Sequence, residues 1–343
     1  MFTKISRHWG LATVSLLLLA VWASLSALPA TSTAQSNNTT FSGQAAVVRA
    51  KVLGIETVLS DTGALDSAGG AREASLLEAD VPGLVTAEVL HASTVGQGDR
   101  SRSEASVANV NLTVGGNNIT ADFLMARAEA VCGNGRATAS GSSEIVGLVI
   151  NSQAITVGTA PNQTVDLPNG KVIVNEQTGS ANGRSGDITV NALHVIVNGV
   201  ADVIISSAHA DITCKGNGCG SAQDFVTGGG WITGTPSGAK ANFGVAGGIK
   251  NGAFWGHLVY IDHGSGMKVK GTGVTAYVVT GTTSRHIEGT AEIDGLSGYT
   301  YKVDVADNGE PGRNDTFVLS LSNGYAAGGT LGGGNIQLHM PCR

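Results

Sequence analysis

The chain is 343 residues long, with 42% hydrophobic and only 13% charged residues. That apolar content excludes global disorder, and a formal charge of −6 with a pI near 5.7 offers no basic face to a nucleic acid. Fifty glycines against seven prolines, with no Gly-X-Y period, exclude collagen and point to many turns between short strands.

In chain order, residues 1–34 read as a secretory signal peptide. Lys4 and Arg7 supply the positive start, Leu11 to Leu28 the apolar stretch, and Ser32-Thr33-Ala34 the small residues for cleavage after Ala34. An uncleaved anchor is the alternative, since about eighteen apolar residues can just span a bilayer. The mature chain contains no other apolar run of that length. The expected location is secreted, extracellular or at the cell surface.

Residues 35–215 form the first expected β domain. Residues 35–42 are a polar lead-in, and Ala46 to Leu53 opens a strand-and-turn pattern. Residues 64–80 are mildly helical in composition and are expected to be a loop; Val85 to Ala92 reads as a strand. Two segments then resemble each other. Val110–Val114, a turn at Gly115–Asn118 and a strand from Ile119 end on Ala126, Ala128, Ala130 and Cys132. Val190–Val197, a turn at Asn198-Gly199 and a strand from Val200 end on Ala208, Ala210, Ile212 and Cys214. A period of two puts each small-residue set on one face. Asn198-Gly199 suits a two-residue type I′ turn. Pairing of the two cysteine-ended strands would bring Cys132 beside Cys214.

Residues 216–224 are a linker by composition, and 225–343 a second β domain. There Ile287, Gly289, Ala291 and Ile293 alternate with polar residues, as do Tyr299, Tyr301, Val303 and Val305, then Phe317, Leu319 and Leu321. One apolar and one polar face per strand predicts an all-β chain of two antiparallel β-sandwich or open-barrel domains. A parallel β-helix would need a fixed repeat, which is missing.

The four cysteines, Cys132, Cys214, Cys219 and Cys342, are an even set in an exported chain, which favours two disulfides with three possible connectivities. The expected pairs are Cys132–Cys214 and Cys219–Cys342, the second joining the two ends of the second domain. Zinc is the alternative, with Cys214-x4-Cys219 as one arm, but no His-x3–5-His accompanies it.

Several longer words resemble a known family. Val146–Ile150, Asn162–Gly170, Asn175-Glu-Gln177, Val190–His194 and Ala208–Cys214 resemble a choice-of-anchor P domain. Phe225–Ile232, Asp307–Gly312, Asp315-Thr-Phe317 and Gly333–His339 resemble the post-COAP-1 domain that follows it in such chains. The resemblance implies a bacterial exported or surface protein and carries over no catalytic residues. The ending Leu338-His-Met-Pro-Cys-Arg343 has no sorting motif or apolar tail, a departure from the anchored pattern.

No G-x-S-x-G elbow, His-Glu-x-x-His or Walker loop occurs, so no catalytic residue is assigned. Ser265 reads as a hairpin tip, His194 as a satisfied strand histidine, and Glu56, Glu88 and Glu144 as a carboxylate set of unknown separation. The loop from Asp304 to Asp315 concentrates Asp304, Asp307, Asn308, Glu310 and Asp315. Hard oxygen donors at this density suit calcium, the one candidate cofactor; the plain alternative is a solvated hairpin loop. Trp231, Trp255 and Tyr260 are candidates for a glycan shelf, against ordinary core packing. The functional expectation is a non-catalytic surface or extracellular structural, adhesion or binding protein, with a cell-envelope polymer or surface protein as partner and no nucleic acid. The alternatives are a carbohydrate-binding module and a secreted hydrolase of unfamiliar type.

Overall fold

A computed structural model describes residues 39–215 and 223–340. The expected signal peptide, Cys219, Cys342 and most of the expected linker lie outside the described residues. The first segment holds β1 (Thr40–Val52), β2 (Ile55–Asp61), β3 (Gly70–Val81), β4 (Val85–Gln97), β5 (Arg100–Val114), β6 (Asn117–Gly133), β7 (Arg136–Val146), β8 (Val149–Ile150), β9 (Gln153–Ala154), β10 (Gln163–Leu167), β11 (Gly170–Asn182), β12 (Ser185–Val197) and β13 (Ala201–Thr213). The second holds β14 (Phe225–Ile232), β15 (Ala241–Lys250), β16 (Ala253–Asp262), β17 (Met267–Val279), β18 (Ser284–Ile293), β19 (Leu296–Ala306), β20 (Thr316–Leu321), β21 (Ala326–Thr330) and β22 (Gly333–His339). The all-β expectation holds: 73% of the described residues are strand, in antiparallel sheets.

Three sheets result. An outer sheet runs β10-β11-β12-β13-β1-β2, and a middle sheet β3-β4-β5-β6-β8-β9 with β7 also on β6. These two pack face to face as a sandwich around Val47, Leu90, Leu124, Val190 and Ile205, all essentially inaccessible. The third sheet, β21-β20-β19-β18-β17-β16-β15-β14-β22, curls into a half-barrel around a stacked pair, Phe243 and Phe317, with centroids 3.9 Å apart. Its β14, β15 and β16 lie on the other face of the middle sheet. Burial on both faces explains the near-continuous apolar and small-residue runs of β4 and β5. The described residues of the three sheets belong to one compact unit.

Alternation in the outer sheet slips by one residue at one level in five adjacent strands. In β12, Ile188 and Val190 are core residues, and then Leu193 and Val195; in β1, Ala45 and then Val48 and Ala50. The slip falls on Asn175, Ala192, Ser206, Val47 and Ser60, and because it is shared the ladders stay in register on either side. Asn175, Ser206 and Ser60 there adopt φ of 51°, 56° and 47°, the left-handed region. The extra residue in each strand is bulge-like and bends the sheet.

Three local expectations are corrected. Of residues 64–80, read as loop, those from Gly70 on lie in β3: ladder bonds to β4 override the helical composition of Ala71-Arg-Glu-Ala-Ser-Leu-Leu-Glu78, and its half-exposed pattern is that of an edge strand. Asn198-Gly199 is no two-residue turn. Val197 pairs with Ala201 across a three-residue loop, Val200 N–H donates to Val197 O at 2.9 Å, and of the two central residues Gly199 alone has positive φ, at 69°, as in a type II turn. The cysteine-ended strands do not pair. Cys132, in β6 of the middle sheet, and Cys214, just after β13 of the outer sheet, are disulfide-bonded across the sandwich with a Cα separation of 5.7 Å. The bond was expected, but face-to-face packing, not strand pairing, creates it.

Candidate binding cleft

Along β5, Arg102, Glu104 and Ser106 face the curled sheet, because Ser101, Ser103 and Ala105 turn toward the outer sheet; Ser103 donates to His209 O there at 2.6 Å. The β5–β6 register sets Arg102 opposite Glu129 and Glu104 opposite Arg127. The β6–β7 register adds Ser140 opposite Glu129 and Ser142 opposite Arg127. The 307–315 loop and β22 cover this patch, leaving a cleft of about 240 Å³ lined by Arg102, Arg127, Glu129, Glu310 and Gln337 among others. A second hollow of the same volume shares Arg102 and Glu310 and reaches Arg100 and Asp307.

The lining groups are fixed. Arg102 Nε donates to Glu129 at 2.6 Å, and Gln337 Nε2 to Glu310 at 2.6 Å. Arg127 donates to Ser142 Oγ at 3.2 Å and to Pro311 O at 3.1 Å, and forms no ion pair among the described residues. Behind the cleft, Glu104 is fully buried. Asn335 Nδ2 donates to one of its oxygens at 3.3 Å, and the other has no hydrogen-bond partner. Burial pushes its pKa up to about 8, against the nearby Arg127 charge. Glu104 is therefore a neutral acid at neutral pH. Fixed guanidiniums, hydroxyls, an amide and carboxylates can donate and accept hydrogen bonds to a polar ligand, and a junction between sheets is a usual place for such a cleft. Sequence reasoning passed over Glu104 and Arg127. The available signal was a lone carboxyl in the small-residue run Ser103-Glu-Ala-Ser-Val-Ala108.

The four carboxylates of the acidic loop are employed separately. Asp304 meets His286 Nδ1 at 2.7 Å, Asp307 accepts from Leu338 N–H at 2.9 Å, and Glu310 binds Gln337. Asp315 accepts from Ile336 N–H at 2.8 Å and from Asn308 N–H at 2.7 Å. Among the described residues no three His, Cys, Asp or Glu side chains converge as a metal would need. The Asp307 and Asp315 bonds satisfy N–H groups on the free edge of β22, whose other edge pairs with β14. Burial raises the Asp315 pKa to about 6, with the Ile336 and Asn308 N–H groups opposing.

The aromatic candidates do not form one shelf. Tyr260 is a correction: it is fully buried in the half-barrel core, its hydroxyl 2.7 Å from that of Tyr325. Trp255 is half-buried against Phe225, at 5.4 Å and 76°, beside Ala71 and Val95 of the middle sheet. Trp231 is half-buried at the other end of that seam, with Lys240 Nζ 4.8 Å over its ring. Ser265 donates to Asp262 at 2.9 Å in a hairpin tip, and His194 is held by Glu176 and Asp202, both at 2.9 Å. Glu56, Glu88 and Glu144 sit on β2, β4 and β7. Glu88 accepts from Asn109 and Glu144 from Gly334 N–H, so these two have separate partners.

No family model and no curated protein matches the chain. A solved structure of a Nitrosomonas europaea protein provisionally assigned as AttH aligns over 88% of this chain and 92% of that one, at 8% identity and a TM-score of 0.21, a likeness too weak to carry a fold or a function.

Proposed function

We propose that the chain is an exported protein that works outside the cytoplasm as a non-catalytic binding or structural protein of the cell surface. The observation that carries this reading is the Cys132–Cys214 bond across the sandwich, since structural disulfides form and persist in oxidising compartments. The leader-like residues 1–34 and the resemblance to choice-of-anchor P proteins agree with it. The cleft between the middle sheet and the 307–315 loop supports binding rather than catalysis: its groups are pinned to backbone carbonyls and to one another. Fractionation of the native host into cytosol, envelope and medium tests the reading. The mature chain is expected in envelope or medium, and a full-length cytosolic chain would refute it.

A further inference from the structure

The outer sheet has a second face, turned away from the sandwich, and no described element packs on it. The ladders order its side chains in rows across β11, β12, β13, β1 and β2. One row is Lys171, Ile196, Asp202, Lys51, Glu56 and the next Ile173, His194, Ile204, Arg49, Val58. Beyond the slip the third is Glu176, Asn191, Ser207, Ala46, Asp61. The third row is short at its centre, so Ser207 and Ala46 form a floor beside taller neighbours. Four strand gaps of about 4.8 Å make the rows about 19 Å wide.

These side chains are held in place. His194 takes Glu176 on one ring nitrogen and Asp202 on the other, both at 2.9 Å. Asn191 donates to Glu176 at 2.6 Å, while its own Oδ1, more than nine-tenths buried with the residue, has no partner. Arg49 pairs with Asp61 at 3.0 Å. A hollow of about 240 Å³ opens between Arg49, Lys51, Glu56, Val58, Asp202 and Ile204.

The chemistry of the face selects among partners. Cations and carboxylates are interleaved in near balance, so the face presents no strong field to a polyanion or a polycation. Donors and acceptors alternate at hydrogen-bonding spacing, which suits hydroxyl groups that both give and take a bond. Ile173, Ile196, Ile204 and Val58 are partly exposed, set singly between the polar groups. A protein partner would favour a contiguous apolar centre; isolated aliphatic patches between polar groups match the C–H faces of sugar rings. We propose that this face binds an extended, uncharged polyhydroxylated chain, a polysaccharide strand laid across β11 to β2. The proposal rests on the reading of the chain as an extracellular binding protein, but on a surface separate from the cleft.

The test uses purified, disulfide-bonded protein and affinity electrophoresis in gels containing laminarin, dextran, mannan or hydroxyethyl cellulose, with alginate and polygalacturonate as acidic comparisons. Retardation by at least one neutral polymer is expected. Val58→Asp and Lys51→Ala, both at solvent-facing side chains, are expected to weaken it at least tenfold, as is Asp202→Ala. Lys302→Ala, on the curled sheet, is the control and should bind as the native chain does. No retardation by any neutral polymer, retardation by the acidic polymers alone, or full binding by all three variants would overturn the proposal. Host fractionation reports on export independently, so a cytosolic chain and a chain that ignores neutral polymers are different failures.

Discussion

Asp315 accepts the backbone N–H of Ile336 at 2.8 Å, so a buried carboxylate takes the place of a neighbouring strand at the free edge of β22. Asp307 does the same for Leu338 at 2.9 Å. Two acids from one loop thus satisfy edge groups that would otherwise be buried without partners, at a cost of about 1–3 kcal/mol each.

The first prediction follows from that arrangement. Asp315→Ala should destabilise the chain by about 2–4 kcal/mol, because it strands both Ile336 and Asn308 N–H groups. Asp307→Ala should cost less, and its loss should appear equally in calcium-free buffer. Thermal melts with and without millimolar calcium check this. A calcium-dependent rise in melting temperature that Asp307→Ala abolishes would instead favour a calcium role for the loop.

The second prediction concerns pH. The folded pKa of Glu104 is about 8, above the roughly 4.3 of an unfolded glutamate. Between those values the folded chain keeps a proton that the unfolded chain has lost. Glu104 therefore makes stability fall as pH rises from about 4.5 to about 8. Glu104→Gln keeps the shape and removes the titration. It should be near neutral at pH 5 and stabilising at pH 8.5, by an amount on the order of a few kcal/mol. Urea unfolding at the two pH values checks it. Equal effects at both would show that Glu104 does not titrate in this range.

Much of the fold was legible in the sequence, and the failures share a cause. The half-barrel strands, with Ile287 to Ile293 and Tyr299 to Val305 in strict alternation, have one buried face and show it plainly. The middle sheet is buried on both faces, so β4 and β5 carry no alternation to read. The outer sheet loses its period at Val47, Ala192 and Ser206, where each strand gains a residue. The cleft was hidden for a related reason. Glu104, Arg127 and Gln337 lie far apart in the chain and meet only through ladder register and sheet stacking. The acidic loop, by contrast, was conspicuous in the sequence, yet its carboxylates turn out to be divided between backbone N–H groups and the side chains of His286 and Gln337.

The third prediction concerns the disulfides. Cys132 and Cys214 are 82 residues apart, so their bond restricts the unfolded chain by about 4–5 kcal/mol in the loop-entropy account. Cys132→Ala with Cys214→Ala should lower stability by about 2–5 kcal/mol under oxidising conditions. A smaller change than 1 kcal/mol would contradict it.

The fourth prediction extends to the remaining cysteines. Asp224 and Met340, described residues close in sequence to Cys219 and Cys342, both contact the buried Arg285, Asp224 through an ion pair and Met340 through its sulfur at 3.4 Å. A Cys219–Cys342 bond is the expected pairing, and non-reducing peptide mapping should recover it. A Cys214–Cys219 peptide would refute both pairings.

The central claim is that this chain lives and binds outside the cytoplasm. Mass spectrometry of the chain taken from its native host, with thiols alkylated before lysis, tests it most directly. The account predicts an amino terminus at Gln35 and an unalkylated, linked Cys132–Cys214 peptide in the envelope or medium. A chain beginning at Met1, in the cytosol, with both cysteines alkylated, would contradict it.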